Sequence, residues 1–405
     1  MSRRLEPQPW MTDPGVVAVF DALEAAGGAG CVRFVGGCLR NALSGHPVAD
    51  VDLATSLRPE AVMAALEAAG LRALPTGLDH GTVTAQSGGR TFEITTLRRD
   101  VATDGRRAVV AFTEDWAEDA ARRDFRLNAL YADREGRLYD PTGCGVADAE
   151  AGRIVFVGDP AGRIREDYLR ILRFFRFFAW YGRGQPDAAA LDACAALKEG
   201  MARLSAERVS SELLKLLAAP DPAPAARLMA RTGVLAQVLP EAGPLDLFEG
   251  MVAVTADPLL RLSSLLPPDP QAAARIAGAL RLSNAQRDRL AAMVGGAVRV
   301  ALDMDPPAAR AALYRLGRQA FEDRVHRAWA AAPLQAAAAA ALLELAASWP
   351  IPRLPVGGRE VAAAGLPPGP ATGRVLRALE DWWVAEDFPE TGLDARLAEL
   401  VAEDR

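Results

Sequence analysis

Apolar and polar positions follow two different rhythms along the chain, and the change falls close to Pro160. Before it, short runs rich in β-branched residues (Val32–Val35, Val51–Ala54, Thr82–Ala85 and Thr91–Leu97) are separated by Gly, Pro, Asp and Ser, which predicts strands. Helical patterns at Pro59–Ala69 and Trp116–Leu130 lie between them. The mixture predicts an α+β domain over residues 1–150, with a mixed sheet and helices. After Pro160 the strand signals vanish. Ile164–Tyr181, Ala188–Met201, Ser205–Leu217 and Ala223–Leu239 repeat apolar residues at i, i+3/i+4, predicting an all-helical domain over 151–240. A second helical domain is expected over 241–405, broken at Pro267-Pro268, Pro306-Pro307 and Pro350–Pro355, with a loop at Pro350–Pro370 before the last helices.

Composition narrows the class. The chain has 405 residues, half of them hydrophobic and 24% charged, enough for two or three packed domains and too apolar for disorder. Four scattered cysteines without a C-x-x-C pair exclude a disulfide scaffold or zinc ribbon, and three dispersed histidines exclude a histidine-built metal site. The longest apolar stretch, Ala328–Trp349, is mostly alanine and interrupted by Pro333, Gln335 and Glu344, so it predicts a buried helix from near Pro333 rather than a membrane span. Met1–Trp10 carries no apolar secretory core. These features predict a soluble, reduced, cytoplasmic protein with no membrane contact and no obligate protein partner. The net charge of −6 runs against nucleic-acid binding, yet Arg153–Gly184 holds seven arginines against three acids, so a basic surface exists locally.

Three constellations carry candidate chemistry. In Val35-Gly36-Gly37-Cys38-Leu39-Arg40-Asn41 an apolar strand runs into two glycines and a helix. Backbone N–H groups there stabilise phosphate, and Arg40 can add a bidentate contact, although the same pattern also makes a simple tight turn. Asp50 and Asp52 follow, two residues apart on an expected strand, so both carboxylates point to one face and call for a hard cation such as Mg²⁺. Glu93 alternates with apolar neighbours and offers a third carboxylate from an adjacent strand, or a plain solvent-facing side chain. The second constellation, Arg122-Arg123-Asp124-Phe125-x-x-Asn128, can bind phosphate and a ribose hydroxyl; on its own the string also makes a salt-bridged helix end. In the third, Glu166-Asp167-x-x-Arg170-x-x-Arg173-x-x-Arg176, Asp167 and Arg170 are i, i+3 neighbours if one helix runs through them; Glu166–Arg170 pairing at i, i+4 is the plainer reading. A carboxylate accepting from an exocyclic amino group, beside a guanidinium donating to a ring nitrogen, admits cytosine and adenine and rejects uracil and guanine.

In order and spacing these motifs, with His80-Gly81-Thr82-Val83 and Leu204-Ser205-x-Glu207-Arg208, resemble the class II nucleotidyltransferases, the family of bacterial tRNA CCA-adding enzymes and poly(A) polymerases. The resemblance implies a catalytic head followed by helical neck, body and tail, with tRNA bound through its 3′ end and acceptor region by neck, body and tail. It implies two Mg²⁺ at Asp50 and Asp52, catalysis shared with Glu93, and CTP and ATP as substrates. Nucleotide contacts would fall to Gly36, Gly37, Arg40, Arg123, Asp124 and Asn128, with base reading by Asp167 and Arg170 and phosphate or primer contacts by Arg173 and Arg176. Glu207 and Arg208 would brace the base-reading helix, and Arg98–Glu114 would be a flexible loop in the switch from C to A.

Two departures qualify the resemblance. The acid that usually follows the motif arginine is Asn41 here, and the C-terminal half carries no His-Asp pair for an appended phosphohydrolase. Thr76–Val83 also lacks the basic-aromatic signature of bacterial poly(A) polymerases, which favours C-C-A addition over A-only polymerisation. A non-catalytic RNA-binding scaffold is the alternative of another class.

Overall fold

In the computed structural model, which describes residues 3–104 and 107–404 (backbone only at 79, 100–104 and 107–110), the chain divides into two compact units, residues 1–240 and 241–405. The first is built on a seven-stranded sheet. Its strands are β1 (Val32–Val35), β2 (Asp52–Thr55), β3 (Arg72–Gly77), β4 (Thr82–Ser87), β5 (Arg90–Thr96), β8 (Tyr131–Ala132) and β9 (Leu138–Tyr139), in the order β3-β4-β5-β2-β1-β8-β9. The sheet is mixed: β2 and β5 run parallel and the other pairs antiparallel. A parallel pair needs a crossover, and helix α3 (Pro59–Ala68) with the β3–β4 hairpin supplies it. β6 (Arg98–Asp104) and β7 (Arg107–Phe112) form a separate two-stranded sheet, so the segment expected as a loop is a hairpin whose residues 105 and 106 lie outside the described ones.

Helix α1 (Pro14–Gly27), which the sequence pattern did not separate from its surroundings, packs on α3. It starts with an Asp-Pro pair: Asp13 accepts from the Gly15 amide at 2.8 Å and Pro14 occupies the first turn. The same device opens α6 (Pro160–Glu166), where Asp159 accepts from the Gly162 amide. The other helices of this unit are α2 (Gly37–Ser44), α4 (Trp116–Ala121), α5 (Gly145–Ala151), α7 (Leu169–Tyr181), α8 (Ala188–Leu197), α9 (Ala206–Leu217), α10 (Ala223–Thr232) and α11 (Val234–Val238).

Two expected helices are cut short. The pattern over Trp116–Leu130 ends at Ala121, because Phe125 is extended, bridges Phe156 and joins an aromatic cluster with Phe156, Phe174 and Phe177. Its apolar spacing serves that cluster rather than a helix face. Ile164–Tyr181 is two helices, since Asp167 is extended (φ −152°, ψ 107°) and its carboxylate accepts from the Leu169 amide at 3.1 Å, restarting the chain as α7.

Among the described residues of the second unit every regular element is a helix: α12 (Asp246–Val254), α13 (Pro258–Ser264), α14 (Pro270–Ala279), α15 (Asn284–Val294), α16 (Pro306–Leu316), α17 (Arg318–Ala331), α18 (Ala336–Ser348), α19 (Gly358–Ala363), α20 (Pro370–Ala385) and α21 (Leu393–Glu403). Asp257-Pro258, Asp269-Pro270 and Asp305-Pro306 repeat the Asp-Pro start. The alanine-rich stretch is α18, reached through a turn at Pro333–Gln335, and it buries Ala339, Leu342 and Ala346 in a local core. The stretch expected as a loop at Pro350–Pro370 contains the short α19. Among the described residues no helix is long and apolar enough to cross a membrane.

Close packing of α5 against the turn at Arg126–Asn128 gives a direct check. A Cβ at Gly145 would sit 2.4 Å from the Arg126 carbonyl oxygen and 2.9 Å from Leu130 Cδ2. Gly145→Ala should therefore cost about 1–3 kcal/mol, seen as a lower Tm; an unchanged Tm would show that this contact relaxes freely.

Candidate active site

Where β1 meets α2, Gly36 adopts φ 68° and ψ −110°, a conformation closed to residues with a side chain. Its amide donates to the Leu130 carbonyl at 3.1 Å. A Cβ there would lie 3.5 Å from the Asn128 carbonyl oxygen and 3.6 Å from Arg123 Nη1, so the turn, the Arg126–Asn128 segment and Arg123 meet around one point. Gly37 opens α2, and a Cβ on it would lie 3.7 Å from Arg40 Nη2. Arg40 is held by neutral groups only: Nη1 donates to Asn128 Oδ1 at 2.6 Å, Nε and Nη2 to Asn41 Oδ1, and Nη2 to the Tyr181 hydroxyl at 3.0 Å. Its guanidinium also stacks 4.4 Å above the Tyr181 ring. Asn41, the residue that departs from the family pattern, thus orients Arg40 without neutralising it.

The carboxylates lie on adjacent strands. In the parallel β2–β5 register Asp52 stands directly opposite Glu93. Val51, Leu53, Phe92 and Ile94 are buried, whereas Asp50 and Glu93 are exposed and Asp52 half-buried. Asp50 precedes β2 rather than lying within it, which corrects the expectation of an i, i+2 pair on one strand. Burial, then the charges of Glu93 and Asp50, push the Asp52 carboxyl above its ordinary range, against the pull of Arg123 and Arg40. Asp52 also sits near the first turn of α2: burial and its charge push the Cys38 thiol up to about 12. Three like charges to which no cationic side chain of the described residues is bonded are a donor set that fits a hard divalent ion. Among the described residues no three acidic, His or Cys side chains already close on one point, so other ligands would complete the shell.

Arg123 and Asp124 are fixed from below. Asp119, essentially buried, accepts from Arg122 Nη2 at 2.8 Å, Arg123 Nη2 at 2.9 Å and the Tyr131 hydroxyl at 2.6 Å. Burial opposes its charge, yet Arg123 and Arg122 hold the carboxyl well below the usual range. Asp124 is buried too and accepts from the Phe125 amide, Asn128 Nδ2 at 2.9 Å and Arg173 Nε at 2.8 Å. Burial again opposes ionisation, but Arg173 and Asn128 bring its carboxyl down to about 2. Arg173 and Arg176 both reach Glu212 of α9, at 3.7 Å and 2.5 Å. Hydrogen bonds run from Arg40 through Asn128 and Asp124 to Arg173, and an ion pair with Glu212, itself bonded to Arg176, continues the line.

The expected base-reading pair is placed differently. Asp167 sits in the break between α6 and α7 and accepts from Arg208 Nη2 at 2.6 Å. Arg170 donates to Glu166 Oε2 at 2.7 Å and to the Arg163 and Arg122 carbonyls. The plainer Glu166–Arg170 pairing is the one formed, and Asp167 and Arg170 share no direct side-chain bond in the structure. Sequence reasoning missed Asp119, Tyr181 and Glu212. Asp119 was within reach, three and four residues before Arg122 and Arg123 on a helix; Tyr181 and Glu212 act across 140 and 36 residues and leave no local signal.

Comparison with known proteins follows these motifs. Residues 32–155 match the family described as "Poly A polymerase head domain", and residues 185–244 the one described as "Probable RNA and SrmB- binding site of polymerase A". A mitochondrial CCA tRNA nucleotidyltransferase 1 of Danio rerio is 44% identical over 192 residues, 46% of this chain and 44% of that protein. A CCA-adding enzyme of Geobacillus thermodenitrificans is 39% identical over 206 residues, 50% of this chain and 49% of that one. The chain spans about half the length of the curated relatives it matches. The Bacillus stearothermophilus CCA-adding enzyme in complex with CTP superposes with a TM-score of 0.78 at 28% identity, covering 97% of this chain and 98% of that one.

The Asp124 carboxyl makes stability depend on acid in a defined direction. Its folded-state pKa lies below the ordinary 3.8, at about 2. It therefore stabilises the fold fully above pH ~4 and loses that contribution as pH falls towards 2, a difference of about 2 kcal/mol. Wild-type Tm should drop more steeply between pH 4 and pH 2 than that of Asp124→Asn; parallel curves would contradict the assignment.

Proposed function

We propose that this chain, whose residues 32–155 match the family described as "Poly A polymerase head domain", is a class II nucleotidyltransferase that adds C, C and A to the 3′ end of tRNA from CTP and ATP, without a nucleic-acid template. The reading rests chiefly on one observation, the β2–β5 register that sets Asp52 opposite Glu93 beside the Gly36 turn. Half-length likeness to named CCA-adding enzymes supports the same substrate class.

In this reading the Gly36-Gly37 turn and Arg40 bind the triphosphate, with Arg123 beside them. Neutral acceptors on Arg40 leave its full charge for phosphate, which an aspartate at position 41 would partly cancel. Asp50 and Asp52 hold Mg²⁺, and Glu93 completes the acidic set. Bound there, two Mg²⁺ would supply the positive charge that eases attack of the RNA 3′-hydroxyl on the α-phosphate and departure of pyrophosphate. Asp124 and Asn128 align Arg173, and Arg173 and Arg176 face the nucleotide or primer. Arg170 exchanges Glu166 for the ring nitrogen of cytosine or adenine while Asp167, braced by Arg208, accepts from the exocyclic amino group. The helical second unit contacts tRNA.

Given Mg²⁺ and a tRNA lacking its 3′ end, the protein should incorporate C, C and then A from labelled CTP and ATP. Long A tails would mark a poly(A) polymerase, and RNA binding without incorporation a scaffold. Asp52→Ala should abolish incorporation while RNA binding persists; retained turnover removes the metal assignment. Arg170→Ala should relax discrimination among the four NTPs by roughly tenfold or more, and an equal loss for all four without misincorporation would count against base reading.

A further inference from the structure

Within residues 241–405 lies an open cleft of about 700 Å³ whose lining includes Arg299, Arg324 and Arg327 and no acidic side chain. Several other arginines of the unit do pair with acids: Arg289 with Asp257 and Asp323, Arg310 with Asp387, Arg315 with Asp381. What marks the cleft is that three arginines share one concavity with no acid in its lining. Among the described residues none of the cleft arginines has a carboxylate partner.

Their positions are built rather than incidental. Arg324, on α17, donates from Nε to the Ala292 carbonyl at 2.8 Å and from its Nη atoms to Val298 and Gly295, closing the C-terminal end of α15 and shaping the following loop. Arg327 follows one turn later. Its Nη1 donates to the Ser263 hydroxyl at 2.8 Å, its remaining N–H groups bond to no described residue, and the residue lines the cleft. Burial, with Arg324 nearby, pushes its guanidinium down to about 10, so it stays charged at neutral pH at a cost. Arg299 is exposed at the rim. A half-buried cation with only a hydroxyl for company is stabilised by an anion. Guanidinium forks match tetrahedral phosphate geometry, and the cleft is far larger than a halide needs.

We propose that this cleft binds a phosphate group, with Arg327 as the inner anchor and Arg299 at the entrance. The group comes either from an RNA backbone or from a free phosphate anion. The proposal's RNA arm deepens, and rests on, the reading that the second unit contacts tRNA, whereas the free-anion arm does not; incorporation is not among the readouts, so failure of one reading is distinguishable from failure of the other.

The test uses the full chain and inorganic phosphate at constant ionic strength, followed by calorimetry and melting, for wild type, Arg327→Met and Arg299→Gln; a hairpin RNA is then titrated in parallel. Phosphate stabilises many proteins generally, so the readout is the difference between proteins. Arg327→Met should weaken phosphate binding roughly tenfold or more and, without phosphate, melt no lower than wild type, because it removes an uncompensated charge. Arg299→Gln, an exposed change, should weaken binding severalfold and carries the test should Arg327→Met not fold. RNA that displaces phosphate and binds both variants more weakly assigns the cleft to an RNA phosphodiester. RNA held equally by all three proteins, with phosphate affected, assigns it to the free anion. Equal phosphate and RNA affinity across all three overturns the proposal.

Discussion

A single buried carboxylate, Asp124, ties the glycine-turn side of the sheet to helix α7. Taking a charge out of water costs several kcal/mol unless hydrogen bonds replace the lost solvent, and here the Phe125 amide, Asn128 and Arg173 replace it. Removing any one of them would leave a charge stranded, so their mutual placement is over-determined. Because Asn128 also receives Arg40 and Arg173 also meets Glu212, the same constraint positions the glycine turn at one end and α9 at the other.

Asp52 follows the opposite plan. Asp119 and Asp124 are satisfied by arginines and lowered; Asp52 stands among Glu93 and Asp50 and is raised. Charge that the chain leaves uncompensated, next to charge it compensates fully, marks where an external partner belongs. Rigid surroundings then keep that site at a fixed distance from Arg40 and Arg123. Arg327 shows the opposite sign in the second unit: a half-buried arginine whose bond among the described residues is to the Ser263 hydroxyl, in a cleft with no acid in its lining.

Much of this was legible in the residues. Local rules sufficed for β1, for α3 and for the glycine turn, because each depends on a few consecutive side chains and on glycine's access to positive φ. The i, i+4 rule also identified Glu166–Arg170. What local rules could not supply were competing uses of the same side chains. Phe125 has helical spacing but is claimed by Phe156 and Phe174; Asp167 suits a helix until its carboxylate caps the next one. The partners that matter most to the site, Tyr181 for Arg40 and Glu212 for Arg173, come from segments whose approach only the tertiary fold decides.

The central claim, that the Asp124–Arg173 bond joins head and neck into one unit, is tested most directly by a double-mutant cycle in stability. Arg173→Met should cost about 3–5 kcal/mol by stranding the buried Asp124 charge, Asp124→Ala should cost less because Arg173 keeps Glu212, and the double variant should cost far less than their sum. Additive losses would contradict the account, because they would mean the two groups contribute independently and the head is held to α7 by something else.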